Sequence, residues 1–452
     1  MSYLLKLKEI FRPEQLLTDD DSLLKYASDA SGYRSRPDVV VRPRGVDEVA
    51  KVVEVAYEEG VAVTARGGGS GIRGGAVATT GGILVSFESM DRIISVSKAD
   101  LYVEVEPGIT NLNLRSQMES EGLIFPVDPA SESISTIGGN VGDGAVGLKS
   151  FKYGTMRDNL LGVELVTPDG NVLNWGGRTV KNVVGYDLTR LCVGSQGILG
   201  LITKLILRLL PAPQSRRILA FGFNELAPAF DASTQVVESM ISASAIEIMD
   251  GESVGIVKRQ IGLGLPDAPI LIVEIEGCKS VCHEQASKTM EIAKKFGGSI
   301  VEDVESEMES KSWKARRSLF KSIIDSGRGI LMLNIRVSPS KIWGLIRNLA
   351  KTAAGRGLSP VVFGHAGSGR IHCCFLSSDD EVKPERIDEF SAESMREVID
   401  SGGDLLEEIR ISMGVKPLIP QSMDASYERI ISAIKVAVDP KSIFNPGKLV
   451  NE

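Results

Sequence analysis

No stretch of this 452-residue chain stays apolar for the roughly 20 residues needed to span a bilayer. The N-terminal MSYLLKLKEIFRPEQLL interleaves charges with its leucines and reads as a short amphipathic helix. It lacks the continuous apolar core of a signal peptide, so a cytoplasmic location is expected. Cysteine is scarce. Cys192, Cys278, Cys282, Cys373 and Cys374 are too few and too scattered for a disulfide framework, and none forms the repeated C-x2-C pattern of an iron–sulfur protein. If the chain moves electrons, it carries no cluster of its own. The formal net charge of −8 argues against a nucleic-acid binder, which would show a basic stripe. Histidine is scarcer still, with three in the chain, so any two standing close together carry weight.

What remains is the composition of an ordinary soluble protein, 43% hydrophobic and 24% charged, long enough for two to three domains. Its organising feature is glycine. A strand-like run, Val61 to Thr64, empties into ARGGGSGIRGG, with Arg66 at the mouth and six glycines from Gly67 to Gly75. Glycine lets backbone N–H groups approach an anion closely, so this loop can cradle a pyrophosphate. Gly69, Gly71 and Gly74 satisfy G-x-G-x-x-G, but that fingerprint must open a helix inside a βαβ unit. Here Ala76–Gly82 and a second strand-like run, Ile83 to Phe87, follow instead. The prediction is a phosphate loop between strands.

Around it the patterning is regular. VDEVAKVVEVAYEEG places Val46, Val49, Val52, Val53 and Ala56 on one helical face, with Gly60 as its C-cap. PDVVVRP and LYVEVEPG read as strands, and LLGVELVTPDGNVLNW as a hairpin about Thr167–Gly170. A second glycine-rich block, Asp128 to Gly147, is too glycine-dense for a packed helix or strand. It reads as a surface loop or as a wall around an elongated polar ligand. The run Pro211–Ala212–Pro213 marks a boundary, beyond which about 214–415 reads as an α+β domain on an antiparallel sheet. A last helix, Ser426 to Val438, leads into DPKSIFNPGKL.

In order, ARGGGSGIRGGA, DPASESISTIGGN, FKYG, KNVVGYDL, GSQGILGLIT, FGHAGSGRIH and FNPGK resemble the flavoproteins of vanillyl-alcohol-oxidase (PCMH) type. Within these, the chain is most similar to the branch of the glycolate oxidase D-subunit and FAD-linked D-lactate dehydrogenase. The resemblance implies an α+β fold: an N-terminal helical segment (1–36), a two-subdomain FAD-binding domain (37–213), a cap domain with an antiparallel sheet (214–415), and a C-terminal segment (416–452) returning to the flavin site. It implies that Arg66, Gly67, Gly68, Gly69, Ser70, Gly71, Ile72, Gly74 and Gly75 hold the FAD pyrophosphate. Pro129, Thr136, Gly138, Gly139, Asn140, Gly147, Gly154, Gly197, Ile202 and Asn445 would line the rest. The glycine loop offers no His or Cys for a covalent flavin bond, so dissociable FAD is expected.

The chemistry concentrates in GHAGSGRIH. His365 and His372 flank a glycine-rich turn, so both imidazoles can converge on one point, as metal ligands, as a base for a hydroxyl proton, or as ordinary buried histidines. By resemblance, His365, His372 and Glu408 would bind a divalent metal (Zn, Mn or Fe) that orients the substrate and lowers the pKa of its hydroxyl. The chain departs from the family at Ser368, Arg370 and Cys374. It departs again at Ile409 and Arg410, where the family has His and Gly. Arg316 in WKARR matches the cap arginine that grips a carboxylate, for which a guanidinium fork is suited, although a charged helix can equally present a solvated face. Arg336 and Arg370 are further candidates. Cys373–Cys374 reads as core, and Asp250 as a cap or turn residue.

Two functions follow. The first is an FAD-dependent dehydrogenase of a small (D-)2-hydroxy acid such as lactate or glycolate, with Arg316 on the carboxylate and His372 taking the hydroxyl proton. It would pass electrons to an iron–sulfur subunit, an electron-transfer flavoprotein or a quinone, alone or in a hetero- or homo-oligomer. The second is an FAD subunit that relays electrons in a multi-subunit redox complex while another chain binds substrate. The loss of the family histidine at Ile409 suits this second reading.

Overall fold

A computed structural model describes residues 2–305, 310–327, 329–377, 384–410 and 425–449, with only the backbone described at 329, 330, 384, 385, 407–410 and 425. The fold is α+β. The chain divides into two compact units: Met1–Gly147, Gly154–Ala212 and Met423–Glu452 form one, and Leu148–Tyr153 with Pro213–Ser422 form the other. The six residues Leu148–Tyr153 thus belong to the second unit although both flanks lie in the first.

In the first unit a four-stranded sheet holds Val39–Val41, Ile83–Ser86 and Val63–Arg66 in parallel register, Val63 opposite Ile83. The helix Val46–Glu59 packs on it and ends where Gly60 turns left-handed at φ 63°. Its Val49, Val52, Val53 and Ala56 are fully buried beside Val39, Val63, Ile83 and Val85. Each such valine contributes about 1.5–3 kcal/mol of apolar burial. A second, five-stranded sheet contains the expected hairpin, Leu160–Val166 with Val172–Gly176, closed by the turn Thr167–Gly170. No helix follows the Val63–Arg66 strand before Ile83, so the Gly67–Gly75 loop does join two strands.

The second glycine-rich block corrects the sequence reading, because it contains a helix, Ile137–Asp143. Thr136 caps it through Gly139 N, and Gly144 ends it at φ 67°. Glycine normally weakens a helix by about 1 kcal/mol relative to alanine. Here the missing side chains are what allow it to pack: a Cβ on Gly138 would lie 2.6 Å from Pro107 Cβ.

The second unit is built on an eight-stranded sheet, antiparallel throughout. Side chains alternate across a strand, so each strand splits its residues between two faces. One face carries Leu219, Phe221, Ile246, Ile248, Leu271, Val273, Leu333, Ile371 and Phe375, all in one apolar core with helices packed against the sheet. The alternate positions of the central strands include Glu247, Glu274, Asn334 and His372, each inside an otherwise apolar run. A sheet whose second face is polar in its middle needs partners for those groups, and this one has them.

Candidate functional site

In the first unit the two glycine-rich blocks meet. A Cβ on Gly67 would lie 2.1 Å from Thr136 Oγ1, one on Gly68 1.8 Å from Ile134 O, and one on Gly71 2.5 Å from Asp143 Oδ2. At Gly68 the atom met is backbone, so no other residue type permits that approach. Beside the junction opens a cleft. Of the expected cofactor residues, Arg66, Gly67, Gly68, Gly69, Ser70, Gly71, Gly75, Thr136, Gly138, Gly139, Gly197 and Ile202 line it. Arg66 donates to Tyr26 O and Ala76 O, lies over the Tyr26 ring, and is held below its usual pKa range by burial.

Ile72, Gly74, Pro129, Asn140, Gly147, Gly154 and Asn445 are not among the lining residues. Several of them are glycines pressed against other residues. Gly147 packs on buried Asp128, Gly154 on Asp158, and Gly74 on the Tyr33 ring. Pro129 is buried, and its carbonyl accepts from Glu132 N. Asn445 is 1% exposed, and its Nδ2 donates to Gly75 O (2.8 Å) and Gln196 O (2.7 Å), one carbonyl on each of two cleft walls. Its own N–H pairs with Val63 O, so the C-terminal segment adds to the edge of the first sheet. Buried Lys435 locks this return by donating to Ile198 O, Phe444 O and Asp439. Gln196, Pro107 and Leu165 also line the cleft and were missed in the sequence. Gln196 sits at φ 50°, a left-handed conformation of the kind that gathers at ligand sites, and nothing in its own residue type announces that.

The second unit holds a separate polar cluster. Strand Leu358–His365 turns through 366–369 into strand Arg370–Ser377, which places His372 opposite Phe363 and the two histidine rings 5.7 Å apart, edge to face. Arg316 enters from the helix Lys311–Asp325. It is only 6% exposed, so the solvated-face reading of that helix does not hold for it. Both features converge on Glu247, which the sequence reading passed over. Its Oε2 accepts from Arg316 Nε at 2.8 Å, and its Oε1 faces His365 Nδ1 at 2.5 Å. Burial raises the Glu247 carboxyl, but His365 and Arg316 outweigh it and hold the group below the usual carboxylate range.

Asn334 Oδ1 lies 2.5 Å from His372 Nδ1, and the His372 ring stacks on Phe363. Burial, then the positive charges of Arg370 and its neighbours, hold His372 well below the ordinary histidine range, so it is neutral near pH 7. The lone acidic or amide residue inside an apolar strand, Glu247 in AIEIMD and Asn334 in ILMLNIRV, was the signal that could have found both.

The remaining candidates separate from this cluster. Arg336 makes an exposed ion pair with Asp404. Asp250 caps the helix Gly251–Ile261 and accepts from Val362 N. Cys373 and Cys374 are buried core residues whose thiols burial pushes up, Cys374 to about 12. The Glu408 side chain lies outside the described residues; its backbone stands opposite Leu333. Among the described residues no three His, Cys, Asp or Glu side chains are grouped to hold a metal, so the expected metal on His365, His372 and Glu408 has no support here and no step is routed through one. No helix among the described residues is long and apolar enough to cross a membrane.

An FAD binding domain model matches residues 37–176, and a model of the C-terminal domain of FAD linked oxidases matches 212–449. The chain belongs to the FAD-linked oxidases. It is 30% identical over 449 residues to the glycolate oxidase subunit GlcD of Bacillus subtilis, covering 98% of this chain and 96% of that protein. It is 31% identical over 434 residues to a probable mitochondrial D-lactate dehydrogenase of Danio rerio, covering 94% and 87%. Its fold is that of p-cresol methylhydroxylase solved with substrate bound, at a TM-score of 0.78, 19% identity, and 99% and 96% coverage. The cleft of this FAD-linked oxidase suits the cofactor. Gly67 and Gly68 bring its backbone against Thr136 and Ile134 where a Cβ would collide, Arg66 stands in its wall, and Asn140 Nδ2 is buried without a hydrogen-bond partner among the described residues.

Proposed function

We propose that this FAD-linked oxidoreductase oxidises a small 2-hydroxy acid, of the glycolate or D-lactate class, to the 2-oxo acid. One observation carries the reading: a buried arginine and two histidines gathered around Glu247 and Asn334 in a chain of this family. Arg316 binds the substrate carboxylate through its guanidinium fork. His372, neutral and with Nδ1 engaged by Asn334, accepts the hydroxyl proton at Nε2. FAD, when bound, supplies the two-electron acceptor for the hydride that leaves Cα. Arg66, the Gly67–Gly71 loop, Gly75, Thr136, Gly138, Gly139, Gly197 and Ile202 hold the cofactor without a covalent bond, and Asn445 braces them. Electrons leave to a separate redox protein or quinone, since the five cysteines build no cluster.

The test is anaerobic bleaching of the flavin absorbance by glycolate, D- and L-lactate, D-2-hydroxyglutarate and malate in turn. Rapid reduction by one acid supports the dehydrogenase and names its substrate. A flavin that dithionite reduces and no acid does refutes it, in favour of the electron-relay subunit that Ile409 suits.

A further inference from the structure

Arg316 and His372 have roles of their own, and His365 stands edge to face with His372, 5.7 Å away, but none of the three holds its own position. Glu247 is 69 residues from Arg316 and 118 from His365 in sequence, and it meets both. Its backbone is fixed in the strand Ala243–Met249, between Ile246 and Ile248 of the core, and its side chain has no exposure. An ionised carboxylate accepts on two oxygens and donates on none. Facing Glu247, His365 must therefore carry its proton on Nδ1. An amide oxygen also accepts only, so Asn334 imposes the same tautomer on His372. The two rings differ in support: His365 is held by a charge, and His372 by a neutral amide and the Phe363 face. Gly364 leaves room for the second ring, since a Cβ there would lie 3.3 Å from His372 Cδ2.

We propose that Glu247 and Asn334 are positioning residues of the substrate site: Glu247 aligns the carboxylate-binding Arg316 and His365 on its two oxygens, and Asn334 turns His372 so that its imidazole keeps Nε2 as the acceptor. The proposal rests on the 2-hydroxy acid reading for its kinetics, but not for its tautomers. Glutamine at 247 removes the charge that Arg316 pairs with and, with its one oxygen on Arg316, turns an NH2 group toward His365 Nδ1. Glu247→Gln therefore raises KM, by loosening Arg316, and lowers kcat, by loosening His365. The combined loss in kcat/KM is about 10²-fold, the scale expected for an ångström of misplacement. Asn334→Leu removes the oxygen that His372 Nδ1 faces and lowers kcat with KM unchanged.

The experiment has two arms. In protein labelled with ¹⁵N-histidine, long-range ¹H–¹⁵N spectra read the tautomer of each of the three histidines directly. We expect a proton on Nδ1 of both His365 and His372, lost from His365 in Glu247→Gln and from His372 in Asn334→Leu. Stopped-flow flavin reduction, with whichever acid bleaches the wild type, reads the kcat and KM split. A purely structural role would lower the melting temperature and leave both readouts in place. An Nδ1 without its proton on either ring in the wild type, or variants with unchanged Nδ1 protons and unchanged kcat and KM, overturn the proposal. If no acid bleaches the wild type, the functional reading fails and the tautomer arm alone decides the positioning. Should Glu247→Gln not accumulate folded, Glu247→Asp, which keeps both acceptor oxygens but draws them back by one methylene, carries the Glu247 arm and Asn334→Leu the other.

Discussion

Replacing Asn445 by alanine tests whether the returning C-terminus builds the cofactor cleft or merely touches it. Asn445 is almost fully buried, and its Nδ2 reaches Gly75 O and Gln196 O at 2.8 and 2.7 Å. Alanine strands both carbonyls, and each buried group left without its partner costs about 1–3 kcal/mol. The backbone there is left-handed at φ 43°, which adds about 1–2 kcal/mol for alanine. The total is about 3–8 kcal/mol, shared between the fold of the first unit and the order of its cleft walls. A share of about 1.4–2.8 kcal/mol falling on the cofactor corresponds to a 10–100-fold rise in Kd.

The assay is titration of apoprotein with FAD, followed by quenching of flavin fluorescence, with a thermal melt of the apo form alongside. Asn445→Gly removes the same bonds without the backbone strain, so it should bind FAD as weakly as alanine while melting a few degrees higher. Alanine at 445 with wild-type FAD affinity would refute the bracing role. Full recovery of affinity in the glycine variant would show that the dihedral, not the bonds, is what the site requires.

Three other outcomes are expected. Lys149→Met leaves Glu274 and Glu276, both with unexposed side chains, without the ammonium that sits 2.9 and 2.7 Å from them. The cost is about 3–5 kcal/mol, read as a lowered melting transition of the second unit through Trp313 and Trp343 fluorescence; an unchanged melt would mean Arg216 alone neutralises the pair. His372 is depressed in the folded state, so below its ordinary pKa of 6.5 the unfolded chain takes up a proton that the native one refuses. Its contribution to stability is intact above pH 6.5 and falls by about 1.4 kcal/mol per pH unit beneath it, until the folded value is reached. Urea melts of wild type and His372→Gln should therefore diverge in slope only below pH 6.5, and parallel pH profiles would refute the depressed value. Gly68→Ala drives a Cβ to within 1.8 Å of Ile134 O and should abolish FAD retention on gel filtration; retained flavin would show that the two glycine blocks can separate without cost to the site.

The parts of this protein that could be read from sequence are those whose physics is local. Helix Val46–Glu59 declares itself through a 3.6-residue stripe and a C-capping glycine. The strand–loop–strand at Val63–Ser86 does so through eight glycines between apolar runs. Helix Ile137–Asp143 escaped because its glycines are locally unfavourable and repaid only by contact with Pro107, some thirty residues away. Glu247 and Asn334 escaped for a related reason. Each is an ordinary polar residue until the sheet places its strand. Strand Leu358–His365 lies between Ala243–Met249 and Arg370–Ser377, and the latter pairs in turn with Gly329–Arg336. That order is what puts His372 opposite both Phe363 and Asn334 in register and brings His365 to Glu247. A histidine pair seven residues apart was visible as a candidate, but the groups that fix its protons come from strands about 40 and 120 residues away. Sequence spacing thus pointed to the reactive side chains, and only the pairing of the strands supplies the residues that hold them.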